Sequence, residues 1–227
     1  MRSVKVLTLG LAFTAVTVLA ANLTVQNARL YGPNGAVEGK IVMFDNRMAF
    51  IDDNQPDNSF VIPKSDIRSA TWDGGRLTIN LAHPYSSSLG ANQSAVILTM
   101  PDTASASSFI TWMGVPVSGY TAGEADRAAT PPDSTQVTDV RFDVKNGDQK
   151  GKLIVAPDEL IFESLTDANH SRRWKYSDIR EFTHNDHEIK VQPYHGDKYE
   201  FQFNNKAMLQ TAYDMISNKV VNSRVNR

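Results

Sequence analysis

Residues 64–71 read KSDIRSAT and residues 176–183 read YSDIREFT. Both contain Ser-Asp-Ile-Arg and then, after two intervening residues, Thr, and the two stretches lie 112 positions apart. A repeated stretch is read before any single element, because a missed repeat misassigns the whole fold. Extending outward, residues 25–83 align with 137–195 without a gap, and 14 of those 59 positions are identical. The identities include Gly39, Lys40, Phe50, Ser59 and His83, each with its counterpart 112 further on. Chance at ordinary composition gives about three or four. Duplication of one module is the simplest account.

Inside each copy the hydrophobic period is that of strands. NLTVQNARLYG and QVTDVRFDV alternate apolar with polar residues, and Gly-containing turns (PNGAVEG, KNGDQKG) lead into KIVMF and KLIVA. DNRMAFID and PDELIFES follow, then SFVIP and RRWKY, RSATW and REFTH, LTINLAH and EIKVQPY, and finally AVILTM and YEFQF. Each copy is therefore expected to hold about seven short strands. The period then lengthens to that of a helix, with Asp102 positioned to cap DTASASSFITWM and Asn204 or Asn205 to cap KAMLQTAYDMISNKVV. Copy one has a longer loop, PYSSSLGANQSA, where copy two has PYHGDK. The small-residue and proline-rich stretch VPVSGYTAGEADRAATPPDST marks a boundary. The reading is a first domain over 22–120, a linker over 121–132 and a second domain over 133–227.

Strands of this number closed by a helix, Gly-Lys opening the second strand, and IPKSDIRSATWDGGRLTI or WKYSDIREFTHNDHEIKV across the middle resemble the bacterial pleckstrin-homology-like or GRAM-like domain. The resemblance implies a mainly β chain: two tandem, partly open β-barrels of about seven antiparallel strands, each capped by a C-terminal α-helix. It implies nothing catalytic. Eukaryotic relatives often bind phosphoinositides through basic residues of the first hairpin, where copy two has Lys150 and Lys152 and copy one has Glu38 and Lys40. Within such a barrel Ile67 and Ile179 are expected to point inward, Ser and Asp to hydrogen-bond the local backbone, and Arg68 and Arg180 to pair with a nearby carboxylate.

MRSVKVLTLGLAFTAVTVLAA, residues 1–21, has Arg2 and Lys5, an apolar run and small residues at its end, the three-part form of a secretory signal peptide. An exported chain, periplasmic or extracellular, is expected. The chain has no cysteine, so disulfides, thiolate metal sites and Cys nucleophiles are excluded, and an exported protein of this kind leans bacterial. A net charge of −2 gives no electrostatic reason to expect nucleic acid.

His184, His187 and His195, interleaved with Asp186 and Glu188, have metal-ligating side chains but generic spacing, and copy one has WDGG at the matching turn. They read as exposed turn residues, and His83 and His195 as strand-end residues. In HSRRWKYS, Arg172, Arg173 and Lys175 flank Trp174. With Lys150 and Lys152 they form a candidate patch for an anionic headgroup, an aromatic set beside cations. The competing reading is an edge strand guarded by charge. No nucleophile elbow, phosphate loop, dinucleotide fingerprint or HExxH helix is present, so no catalytic, cofactor or metal residue is assigned. The sequence points to an exported, non-enzymatic binding or scaffolding protein with a protein partner. Peripheral binding of anionic lipid by the second copy is the alternative, and a metal-dependent hydrolase a distant third.

Overall fold

The computed structural model describes residues 23–87, 89–120 and 139–225. The leader (1–21) and linker (121–132) read from the sequence lie outside the described residues.

The first copy forms β1 (Thr24–Gly32), β2 (Gly35–Met43), β3 (Arg47–Ile51), β4 (Phe60–Pro63), β5 (Ile67–Trp72), β6 (Arg76–Ser87) and β7 (Gly90–Thr99), then α1 (Thr103–Met113) and a short β8 (Val117–Ser118). The second forms β9 (Val140–Asn146), β10 (Gln149–Val155), β11 (Glu159–Ser164), β12 (Arg172–Lys175), β13 (Ile179–His184), β14 (Glu188–Pro193) and β15 (Tyr199–Gln202), then α2 (Lys206–Val225). The offset of 112 aligns β4 with β12 and β5 with β13 residue for residue.

Hydrogen bonding orders the strands β4-β3-β2-β1-β7-β6-β5-β8 and β12-β11-β10-β9-β15-β14-β13. Both sheets are open: β4 does not pair with β5, nor β12 with β13, so the mainly β chain expected from the sequence holds two open sheets where partly open barrels were expected. Two further departures come from copy one. The stretch read as a long loop is a hairpin extension, because β6 runs on through irregular register to Ser87. The unforeseen β8 pairs parallel with β5 and covers its outer edge. In the second sheet the matching edge is met by Arg224, whose guanidinium donates to the carbonyls of Ile179 and Arg180, both at 2.9 Å.

The duplicated motif builds a corner. Lys64–Asp66 and Tyr176–Asp178 are 3₁₀ turns, closed by the N–H of Ile67 on Lys64 O and of Ile179 on Tyr176 O. The register then slips between Ile67 and Ser69 and between Ile179 and Glu181, leaving Arg68 and Arg180 at matching bulges. Ile67 and Ile179 are buried as expected. The arginines are exposed and make no ion pair among the described residues, because the bulge turns them outward. The Asp66 carboxylate is engaged by His83 Nδ1 at 3.0 Å, so it serves a neighbouring strand rather than its own turn. The shared Gly-Lys step has its own cause. A Cβ on Gly39 would lie 2.5 Å from Ile51 O and one on Gly151 2.5 Å from Glu163 O, with the Phe50 and Phe162 rings packed against the same spots.

Each sheet closes its core with its helix. Asp102 Oδ1 accepts from Ser105 N at 2.7 Å to start α1, and Asn205 Oδ1 accepts from Ala207 N at 2.9 Å to start α2. Phe109 and Met113 of α1 pack on Leu30, Ile41, Phe50 and Leu98. Leu209, Ala212 and Ile216 of α2 pack on Phe142, Leu153, Phe162 and Phe201. The second core does not stop at its own sheet. Val42, Ala49 and Ile51 belong to the opposite face of β2–β3 from Ile41, Met48 and Phe50, and they join the α2 cluster. Strands buried on both faces read as unbroken apolar runs rather than alternating ones, as KIVMF and MAFI do. Arg47 of β3 also forms an ion pair with Asp214 of α2.

Because this core spans both sheets, Ile51→Asp should lower the stability of the whole chain by at least about 3 kcal/mol, the cost of an unpaired buried charge. Urea unfolding followed by tryptophan fluorescence and by far-UV circular dichroism should give one coincident transition in the wild-type chain. Two separated transitions would refute the shared core.

Candidate functional site

The loop 52–59 that follows β3 is held by a buried carboxylate. Asp52 Oδ1 accepts from Asn54 N at 2.8 Å and Gln55 N at 3.0 Å, Oδ2 accepts from Asn58 Nδ2 at 2.7 Å, and Asp52 N donates to Ser59 Oγ at 3.0 Å. The second copy repeats this scaffold with a different residue. Ser164 Oγ accepts from Thr166 N at 3.3 Å and Asp167 N at 3.2 Å, and Ser164 N donates to Ser171 Oγ at 3.0 Å.

The next residue, Asp53, ties the copies together. Its carboxylate is paired with Lys40 and accepts from Arg141 N at 3.3 Å, and its carbonyl accepts from Lys152 Nζ at 2.8 Å. Lys40 and Lys152 are repeat counterparts, so the two copies of one lysine converge on one residue. Arg141 N is available because β15 pairs with β9 only at Lys145 and Asn146, which leaves the start of β9 open on that side.

Beside this junction lies a cleft of about 510 Å³. Ile51, Asn54, Pro56 and Asp57 form one wall, and Arg141, Phe142, Phe203, Asn204 and Met208 the other. Its buried floor is mostly apolar, formed by Ile51, Phe142, Phe203 and Met208, with Asp52 and Ser59 buried beside them. Its rim carries amides, carboxylates and one guanidinium, and the Arg141 guanidinium is also 3.3 Å from Glu163. Asp143, also in the lining, is paired at 2.8 Å with the same Lys152 ammonium that reaches Asp53. No cluster of three or more His, Asp or Glu able to hold a metal ion occurs among the described residues.

The five cations proposed from the sequence are divided by this arrangement. Lys152 is drawn into the junction. Arg173 pairs with Glu159 at 2.8 Å, and Arg172 donates to the carbonyls of Asn169 and Ser171 and to Tyr199 Oη. Lys150 stays exposed, directly across the β9–β10 ladder from Lys145, which the sequence reading did not single out. Lys175 lies further along β12, against α2. Trp174 is buried, edge-on to Tyr199 at 4.8 Å between ring centres, so the aromatic expected beside the cations faces the core. β12 is a terminal strand of its sheet, the position of the charged-edge reading. The histidines disperse. His184 leans on the Tyr213 ring at 4.1 Å, Asp186 pairs with Lys206 at 2.6 Å, and Glu188 with Lys190 at 2.9 Å. The Lys206 ammonium beside Asp186 holds its carboxyl below the usual range.

The ends next to the first hairpins also differ between copies. In copy one the β6–β7 extension folds back over that end: Leu89 O accepts from Asn34 N at 3.2 Å, and Tyr85 packs on Phe60 at 4.4 Å. Burial pushes the Tyr85 hydroxyl up to about 12. Among the described residues copy two has no such cover, and Leu165 stands 63% exposed beside Lys145 and Lys150.

No family model matches the chain, and no curated protein does. Among solved structures it is similar to the C-terminal domain of an unknown protein from Leishmania infantum (17% identity, 44% of this chain, 99% of that one, TM-score 0.32). The Drosophila Merlin FERM and C-terminal domain complex is similar at 16% identity over 49% of this chain and 38% of that one, TM-score 0.33. The Spt16D Pob3N heterodimer is similar at 14% identity over 76% of this chain and 84% of that one, TM-score 0.32. At these scores the likenesses say nothing further about this chain.

Replacing Asp52 by Ala removes the acceptor of two backbone N–H groups and of the Asn58 amide and should cost about 2–3 kcal/mol, whereas Ser164→Ala, whose acceptor bonds are longer and more exposed, should cost less than half of that. Urea midpoints at unchanged m-value measure both. Equal costs would mean that the carboxylate is not the element that shapes the cleft wall.

Proposed function

We propose that this is an exported, non-enzymatic binding or scaffolding protein, periplasmic or extracellular, built from two pleckstrin-homology-like modules, and that it holds a partner protein in the groove between them. The carrying observation is that both copies contribute walls to one cleft whose width is set by packed side chains and the Asp53 junction rather than by a flexible connection. A mostly apolar floor within a polar rim suits a protein segment, since the buried centre of such interfaces is apolar and the edge hydrated. Preset geometry reduces the ordering cost of binding.

Photo-crosslinking residues placed at Asn54 and Asn204, on opposite walls, should each trap the same partner polypeptide in the cells that make the protein, and one at Tyr194, on a distant exposed loop, should not. Crosslinks to a common partner from Tyr194 alone would overturn the assignment to the cleft.

Peripheral binding of anionic lipid by the second module has one observation in its favour: Lys145 and Lys150 face each other across the ladder beside exposed Leu165, a like-charge pairing that an anion would relieve. Salt-sensitive co-sedimentation with anionic vesicles, reduced at least tenfold by Lys145→Ala with Lys150→Ala and untouched by Arg173→Ala, is the expected result for this reading. Equal sedimentation with neutral vesicles would reject it.

A further inference from the structure

A second concavity, of about 380 Å³, lies where Leu23, the β10–β11 turn, the end of β12 and the last turns of α2 meet, and it shares no lining residue with the interdomain cleft. Two lysines line it, Lys175 and Lys219, together with Asn222 and the single carboxylate Asp158. Lys219 is the more buried of the two. Its ammonium is partly withdrawn from water, donates to Pro157 O at 3.0 Å and lies 5.8 Å from the Tyr176 ring centre. Of the four other partly buried lysines, Lys40, Lys152 and Lys190 each have a carboxylate within ion-pair distance (Asp53, Asp143 and Glu188), and Lys64 lies over the Trp112 ring at 5.1 Å. Lys219 has no carboxylate at that distance among the described residues, and neither does Lys175. An ammonium has three donors, and Pro157 O takes one of those on Lys219. Withdrawing a cation from water without a counter-ion is costly, and a second cation on the same wall adds to the cost.

We propose that this pocket binds a phosphate group, held between Lys175 and Lys219, with the Asn222 amide, one of whose hydrogens is donated to Asn218 Oδ1 at 3.0 Å, supplying its second as a neutral donor. Lysine serves phosphate as a point charge that needs no fixed fork, which suits one exposed and one half-buried ammonium converging from different elements. The bound anion supplies the counter-ion that Lys219 lacks. Burial depresses the pKa of Lys219, and the nearby charge of Asp158 opposes that shift. Asp158 also repels an incoming anion, so it limits affinity.

The test is isothermal titration of the full chain with inorganic phosphate at low ionic strength. Saturable binding is expected, weakened at least about tenfold by Lys175→Gln or Lys219→Met and tightened about threefold by Asp158→Asn, steps that correspond to about 1.4 and 0.6 kcal/mol. Lys175 and Asp158 are exposed, so their variants remain informative if Lys219→Met fails to fold. No saturable binding, or binding unaltered by both Lys175→Gln and Asp158→Asn, overturns the proposal. Co-sedimentation with vesicles containing phosphatidic acid separates the sources. Capture lost in Lys175→Gln places the phosphate on a lipid headgroup, and free phosphate binding without vesicle capture places it on a soluble ligand.

Discussion

The outer face of β2–β3 must be covered, and most of the architecture depends on that constraint. Val42, Ala49 and Ile51 point away from the core of their own sheet and are buried only because α2 of the other copy lies over them. Leaving one such side chain in water forfeits about 1.5–3 kcal/mol, so the arrangement of the copies is set by hydrophobic burial, and polar contacts locate it. Arg47 with Asp214, and Lys40 and Lys152 on Asp53, are pairings at the margin of that apolar contact. The helix therefore has two tasks. Its Leu209, Ala212 and Ile216 close one core, and the same cluster reaches the other sheet.

Among the described residues no helix packs on the corresponding face of the second sheet, and its chemistry differs from that of the first. Ile154 and Ile161 occupy the register positions of Val42 and Ala49. Around them the face carries the pairs Arg141–Glu163 and Arg173–Glu159. Exposed pairs of this kind add little stability. They keep an apolar strip from becoming a surface on which other chains stack. This explains why the basic residues of HSRRWKYS do not read simply as a ligand patch. Arg173 belongs to the guarding of that face, Arg172 is tied to backbone carbonyls, and Lys175 alone is turned toward α2.

The sequence carries the repeat, the strands and both helix starts, because these rest on local signals: period-two alternation, turn glycines, and Asp102 or Asn205 ahead of an apolar stripe. The offset of 112 even carries features that identity hides, such as the acceptor at 52 and 164, where carboxylate and hydroxyl fill one role. What the sequence does not carry is which partner each face meets. KIVMF and KLIVA look alike, and only the path of α2 makes one a two-sided strand. How far each partly open barrel opens was illegible for a related reason: whether β4 pairs with β5 depends on the corner between them, and the Ser-Asp-Ile-Arg stretch reads as a corner without its angle. The junction residue Asp53 and the cleft residues Arg141 and Asn204 were illegible because each comes from a different part of the chain, and Asp53 corresponds to Leu165 in the other copy, so the repeat gave no hint of its role.

That substitution of Asp53 by Leu165 across the repeat shows how duplication leads to division of labour. In copy one the position is charged and gathers two lysines and a backbone amide into the junction. In copy two it is apolar and exposed, and it borders a hairpin that lacks the cover of Tyr85 and Leu89. The same frame thus spends its first loop on holding the copies together and leaves its second loop open. Once one copy's loop had been committed to the junction, its hairpin end could be sealed without loss, and any contact with a ligand at that end falls to the copy whose end stays uncovered.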